Sequence, residues 1–270
     1  MIIRILTAVI GLPFLVGLVW FGGVPLVLAA GVLSLIGMYE FYKAACGKIK
    51  ETHFIGFALE LLFLIFLLKY NCGSEVFTAI FMSLPVFVAA LMAYLTIRHN
   101  KCSINDITSA LFGFLYVGCL LGLIPIIRQM NGGFYLIWYV FIFAFASDTG
   151  AYFVGVKFGK HRLAPVLSPK KSIEGAVGGL VTSGIVSAVY YFAYSDSFTI
   201  SHGVLVFAFG VLGSVFAQMG DLAASAVKRE AGIKDYGNVF PGHGGVLDRF
   251  DSVLFTSVCV FLLKIFAYWL

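Results

Sequence analysis

Apolar runs long enough to cross a bilayer recur along this chain, and nothing else in it restricts the fold as severely. A helix needs about 20 predominantly apolar residues to span the hydrocarbon core. Nine runs approach that length: Ile3–Trp20, Pro25–Tyr42, Phe54–Leu68, Phe77–Ile97, Ile107–Ile127, Phe134–Val156, Gly175–Tyr194, Val204–Val227 and Ser252–Trp269. Of the 270 residues 61% are hydrophobic and 11% charged, against about 25% charged in an ordinary soluble domain. A soluble fold of this size cannot hide so much apolar surface, so lipid is the solvent for most of it. The expected fold is all-α and polytopic, with about nine transmembrane helices in a single integral membrane domain, residues 1–270. Arg4 near the start of the first run is reminiscent of a signal peptide. No small-x-small cleavage site follows before the second run, so an uncleaved first helix is expected.

Basic residues set the expected orientation. With a cytoplasmic N-terminus, Arg4, Lys43, Lys48, Lys50, Arg98, Lys101, Lys157, Lys160, Arg162, Lys170, Lys171, Lys228, Arg229, Lys234 and Arg249 all lie inside. Only Lys69, Arg128 and Lys264 then lie outside, which places the C-terminus outside as well. Two long cytoplasmic segments result, Lys157–Glu174 and Lys228–Asp251, and they carry nine of the eighteen basic residues. Chemistry on a charged cytosolic substrate belongs there. A net charge of +5, with its basic residues lying between apolar runs, does not suit a nucleic-acid binder. The scattered cysteines Cys46, Cys72, Cys102, Cys119 and Cys259 do not suit a disulfide scaffold.

Acidic residues number thirteen, so their positions carry information. Glu40, Glu60, Asp148 and Asp221 fall within apolar runs, where an ionisable group marks a functional site by default. Glu40, close to Tyr42 and Lys43, reads instead as a residue reaching the interface, and Glu60 has no evident partner. Around Asp221 the pattern is denser. Positions i, i+4 and i+7 of a helix share a face, so Asp221, Ser225 and Lys228 form one stripe with Arg229 beside it. A buried ion pair is the plain alternative for that stripe.

The following loop leads straight into the last apolar run. Glycines 242, 244 and 245 allow close backbone approach to an anion, and His243 sits among them. Asp248 and Asp251, flanking Arg249, suit a hard divalent cation such as Mg²⁺, which takes oxygen ligands and is shared with substrate phosphates. N-capping of the last helix is the alternative for these acids. In the other inner segment, Ser168, Lys170, Lys171 and Ser172 precede a helix opening with Glu174 and Gly175. Lysines at a helix N-terminus make a ready phosphate site, whereas Lys160 and Arg162 read as membrane anchors. The pairs Gly118/Gly122, Gly155/Gly159 and Gly175/Gly179 have the small-xxx-small spacing of close helix packing. Together these groups suit a polyphosphate with a divalent metal, because phosphoryl and nucleotidyl transfer depend on positioning and charge neutralisation. No Walker P-loop is present.

From Ser225 to Asp251 the chain reads S-A-V-K-R-(four)-K-D-x-G-(two)-F-P-x-H-G-G-V-x-D-R-F-D. This run resembles the C-terminal signature of the phosphatidate cytidylyltransferases, or CDP-diglyceride synthases. Ser168–Gly175 is similar to that family's Ser-Pro-Lys-Lys-Thr-Trp-Glu-Gly, departing at Ser172 and Ile173. The resemblance is convincing over a catalytic half, residues 148–270; helices of residues 1–130 match in length and hydropathy alone. It implies the reaction of CTP with phosphatidate to give CDP-diacylglycerol and pyrophosphate, dependent on Mg²⁺ and with room for a second cation. It further implies that Asp221 and Asp248 hold the metal and that Lys228, Arg229, His243 and Arg249 neutralise phosphates. Ser225 and Asp251 then support that shell, Lys170 and Lys171 with Ser168 and Ser172 add phosphate contacts, and Asp148 forms a further polar wall. A short chain with no soluble extension suggests a bacterial plasma membrane, the basic-residue bias and the resemblance agree on a site at the cytoplasmic face, and a homo-oligomer is left open.

Three other readings meet specific objections. An intramembrane aspartyl protease also uses two aspartates, and Asp148-Thr149-Gly150 spells a soluble aspartic protease motif. Near Asp221, however, Gln218 stands where G-x-G-D needs its first glycine, and a protease leaves His243 and the lysines unused. A cation-coupled transporter places such groups near the midplane of repeated halves, and no repeat is present here. A CTP-dependent polyprenol or phytol kinase is the nearest alternative, against which the full signature speaks.

Overall fold

The computed structural model describes residues 2–69, 74–98, 102–194 and 203–269. Cys72 and Lys101 lie outside the described residues. Ten α-helices account for most of the chain: α1 (Ile2–Phe21), α2 (Gly23–Cys46), α3 (Glu51–Lys69), α4 (Ser74–Ile97), α5 (Ile104–Gly113), α6 (Leu120–Gln129), α7 (Gly133–Phe158), α8 (Ile173–Ala193), α9 (Gly203–Glu230) and α10 (Leu247–Trp269). A π-helical segment, Phe114–Cys119, joins α5 to α6, so the fifth apolar run is one continuous rod from Ile104 to Gln129. Each of the nine apolar runs is helical. Among the described residues six helices are long and apolar enough to cross a membrane: α2, α3, the α5–α6 rod, α7, α8 and α9. The protein is therefore an all-α membrane protein, apart from one hairpin that the hydropathy pattern does not announce. There β1 (Arg162–Ala164) pairs antiparallel with β2 (Ser168–Ser172).

The chain forms two compact units, Met1–Met130 with Asp235–Asp248, and Asn131–Lys234 with Arg249–Leu270. The loop at 235–248 thus groups with the N-terminal helices, so the signature is divided between the units. In the first unit α2 packs on α3 and the α5–α6 rod. Side chains of α3 fill the space that glycines leave on the rod: Glu60 lies against Gly118 and Phe63 against Gly122. Glu60, 1% exposed, is paired with the Ser34 hydroxyl of α2. At one end Ser103 caps α5 in a capping box with Asp106, whose carboxylate also takes the Lys50 ammonium at 2.5 Å. That hydrogen-bonded pairing holds the Lys50 ammonium above its ordinary pKa.

In the second unit α8 packs between α7 and α9, and the sequence explains why. Its buried face is a stripe of small residues, Gly175, Gly178, Gly179, Ser183, Gly184 and Ser187. Apolar side chains gain little by leaving lipid for another helix, so membrane helices associate through close van der Waals packing. A Cβ at Gly178 would collide with Val154 of α7, and one at Gly210 with the α8 backbone at Ser183. The expected packing role of Gly155 and Gly175 is visible here, since the two Cα atoms face each other across the α7–α8 contact.

Candidate active site

The second unit holds an open cavity of about 540 Å³. Its polar wall consists of Asp148 from α7, Arg162, Lys170, Lys171 and Ser172 from the hairpin, and Gln218 and Asp221 from α9. Tyr152 and Val156, one and two turns beyond Asp148, supply an apolar wall. The hairpin is held in place at the start of α8. Ser172 is its N-cap, the hydroxyl accepting from the Gly175 amide at 3.1 Å. Glu174 accepts from the Lys160 and His161 amides and lies 2.6 Å from His161 Nδ1, tying the loop back onto the helix.

Asp221 is ion-paired with Lys171, the two side chains being 27% and 24% exposed. The Ser225 hydroxyl donates to its other oxygen at 3.4 Å, as the shared helical stripe requires. Asp148 and Asp251 both lie within electrostatic reach of Asp221, so three carboxylates from α7, α9 and α10 converge. Lys171 and Arg249 act on Asp148, and Lys228 acts on Asp251. Gly220 allows this convergence: a Cβ there would strike the Asp251 carbonyl, so α9 and α10 approach closely beside the two acids. Arg229 turns away to donate to the Leu167 carbonyl at 3.3 Å, bracing the hairpin. Ser168 pairs with Ala164 in the ladder and does not line the cavity.

In the first unit the signature loop is organised around two carboxylates. Asp248, 8% exposed, accepts from the Tyr236 amide at 2.8 Å and the Gly245 amide at 2.9 Å, both through Oδ2. A tight turn brings His243 N to the Phe240 carbonyl at 2.8 Å and pairs Phe240 with Gly244. Gly244, at φ 87°, occupies a backbone conformation that side chains disfavour. Glu40 of α2 is the second carboxylate, accepting from the Val246 and Leu247 amides at 3.0 Å each. With α10 starting at Leu247, Asp248 lies in its first turn and Asp251 beyond it. Neither acid caps α10: Asp248 accepts from loop amides, and the amides at the helix start go to Glu40. The interfacial reading of Glu40 is corrected, since its buried carboxylate ends on the Val246 and Leu247 amides; Arg162, read as an anchor, lines the cavity, and sequence reasoning passes over Gln218. Gln218 stands three residues before Asp221 on the same helical face, and that spacing is the signal that could have found it.

Among the described residues no three His, Cys, Asp or Glu side chains form a ready-made metal cage. The donor chemistry nevertheless fits Mg²⁺, which binds through one or two carboxylates and completes its shell with water and substrate phosphate. Asp221 and Asp148 line the cavity, Asp251 lies within electrostatic reach of both, and all three offer hard oxygens only.

A bundle of membrane-spanning helices with converging carboxylates and a cavity lined by cations and apolar side chains defines an integral membrane enzyme of phosphate-containing substrates. The particular family follows from sequence comparison. Residues 2–266 match the cytidylyltransferase family, and the chain belongs to it. It is 37% identical over 253 residues to a phosphatidate cytidylyltransferase of Staphylococcus haemolyticus (strain JCSC1435), covering 94% of this chain and 95% of that protein. Over 255 residues it is 35% identical to the phosphatidate cytidylyltransferase of Staphylococcus aureus (strain COL), with the same coverage. The enzyme of that name from Staphylococcus saprophyticus is 37% identical over 253 residues, again covering 94% and 95%. These relatives do not favour the lipid-alcohol kinase.

Proposed function

We propose that this protein transfers a cytidylyl group from CTP to phosphatidate, releasing pyrophosphate and forming CDP-diacylglycerol for phospholipid synthesis. The observation that carries the reading is the cavity of the second unit, where the Asp148 and Asp221 carboxylates and the cations Arg162, Lys170 and Lys171 share the lining with the apolar Tyr152 and Val156. A phosphatidate phosphate oxygen attacks the α-phosphorus of CTP; the new P–O bond forms as the bond to the β-phosphate oxygen breaks. The nucleophile is already ionised near neutral pH, so no strong general base is needed. Lys170, Lys171 and Arg162 on the hairpin neutralise phosphate charge as it shifts to the leaving group. Asp221 is the proposed principal metal ligand, with Asp148 and Asp251 completing its oxygen environment. Bound Mg²⁺ would withdraw charge from the phosphates and orient them. Asp248, His243, Lys228 and Arg249 keep the phosphate and metal roles that the resemblance implies. Tyr152 and Val156 suit an acyl chain entering from the bilayer.

The proposed topology has nine crossings, the N-terminus inside and the C-terminus outside. Fifteen of eighteen basic residues then face the cytoplasm, where CTP is available. The test is conversion of phosphatidate by purified protein in mixed micelles, with CTP, in Mg²⁺ and in EDTA. Metal-dependent CDP-diacylglycerol with one equivalent of pyrophosphate supports the reading. Folded protein giving neither product overturns it.

A further inference from the structure

Glu40 lies in the second helix of the chain, 195 residues before the loop it serves begins at Asp235. Its carboxylate is 3% exposed and ends on main-chain amides, Oε1 on Val246 and Oε2 on Leu247. These are the last loop residue and the first residue of α10, immediately before Asp248. A helix start leaves several N–H groups without intrahelical partners, and here a buried carboxylate from another helix takes them in place of a local cap. The loop is shaped to receive it. A Cβ on Gly237 or Gly245 would overlap the Glu40 carboxylate, so both glycines form its cradle. Gly245 has a second role, because its amide donates to Asp248 Oδ2. One short stretch of backbone is therefore gripped by Glu40 at residues 246 and 247 and by Asp248 at residues 236 and 245.

We propose that Glu40 is a positioning residue for the cytidylyl transfer: it fixes the entry of α10 and so sets the orientation of Asp248. This role rests on the transferase reading and on Asp248 acting in it. Removing a group that orients such a carboxylate typically costs about 10- to 100-fold in activity or metal affinity. Glu40→Gln retains the shape but faces one of the two amides with an N–H donor, so one grip is lost. Gly245→Ala attacks the same contact from the loop side, pushing a methyl group into the carboxylate.

The experiment combines turnover with hydrogen exchange on full-length protein in detergent. In Glu40→Gln, amides in a peptide covering 244–248 are expected to exchange faster. On the same preparations kcat is expected to fall about 10- to 100-fold, and the Mg²⁺ concentration for half-maximal rate to rise. Gly245→Ala is expected to reproduce both effects, and adding it to Glu40→Ala to cost little more than Glu40→Ala alone. This pair also serves if Glu40→Gln folds poorly. A role confined to stability predicts a lower melting temperature with kcat per folded molecule and the Mg²⁺ half-point unchanged; that result overturns the positioning role, as do multiplicative effects of the pair. Wild-type protein without CDP-diacylglycerol formation overturns the transferase reading and the positioning role with it. Wild-type turnover with an unimpaired Glu40→Gln overturns the positioning role alone.

Discussion

Lys171→Met tests the electrostatics of the cavity most directly. The substitution removes the cation paired with Asp221 and keeps an unbranched side chain of similar length. Both partners are about a quarter exposed, 24% and 27%, so water reaches them and the lower end of the range for a charged hydrogen bond applies, about 1.5 kcal/mol. For a chain of this size that corresponds to a fall of about 3–6 °C in the thermal midpoint. Repulsion from Asp148 and Asp251 acts in the same direction, so this is a floor. Unfolding would be followed in detergent by tryptophan fluorescence, first in EDTA and then with increasing Mg²⁺. If the metal binds at Asp221 it supplies the missing positive charge, and the deficit narrows as Mg²⁺ rises. Adding Asp221→Asn to Lys171→Met should restore most of the midpoint in EDTA, because the neutral amide needs no counter-charge. An unchanged midpoint in EDTA, or a double variant that falls by the sum of the two losses, would refute the pairing. A deficit untouched by Mg²⁺ would remove the metal from Asp221.

Other expectations follow from single contacts. Gly178→Leu forces a branched side chain against Val154 of α7 and should cost about 1–3 kcal/mol by overpacking, read as a lower thermal midpoint. Asp248→Asn leaves an oxygen acceptor for the Tyr236 and Gly245 amides and should fold normally while losing about 10²- to 10³-fold in kcat; full activity would exclude Asp248 from the reacting centre. For the topology, Lys160→Cys in an otherwise cysteine-free background should react with a membrane-impermeant maleimide in inverted vesicles and not in intact cells. Labelling in intact cells would reverse the proposed orientation.

The difference between what is legible in the sequence and what is not follows from which atoms make each contact. Continuous apolar runs are a property of side chains, so hydropathy alone locates all nine helical runs. The stripe of Asp221, Ser225 and Lys228 is likewise readable, since a helix fixes the spacing at which side chains meet, and Asp221 and Ser225 do meet. Lys171 is recognisable as a cation near the site, but its choice of Asp221 as partner depends on a hairpin whose strands are three and five residues long. Strands that short lack a clear alternation, and Arg162 reads as an anchor for that reason.

Glu40 marks the limit of such reading. Its partners are amide N–H groups of Val246 and Leu247, which every non-proline residue possesses, so their side chains give no indication that a carboxylate is required. On the loop the trace is negative, in Gly237 and Gly245, where the absence of a Cβ leaves space for it. Both glycines sit in the signature, and Gly245 invites explanation as part of an anion-binding turn. Their contact with Glu40 gives a different reason for them: the loop admits a carboxylate from the first unit's own helix, and that carboxylate occupies two amides that the glycine pattern would assign to a phosphate. Gly244 is distinct, since its positive φ and its place in the turn with Phe240 require glycine whatever the neighbouring carboxylate does. The Gly245→Ala and Glu40→Ala pair separates the two explanations. An anion-binding glycine loses its function whether or not Glu40 is present, whereas a glycine kept small for Glu40 tolerates alanine once that side chain is gone.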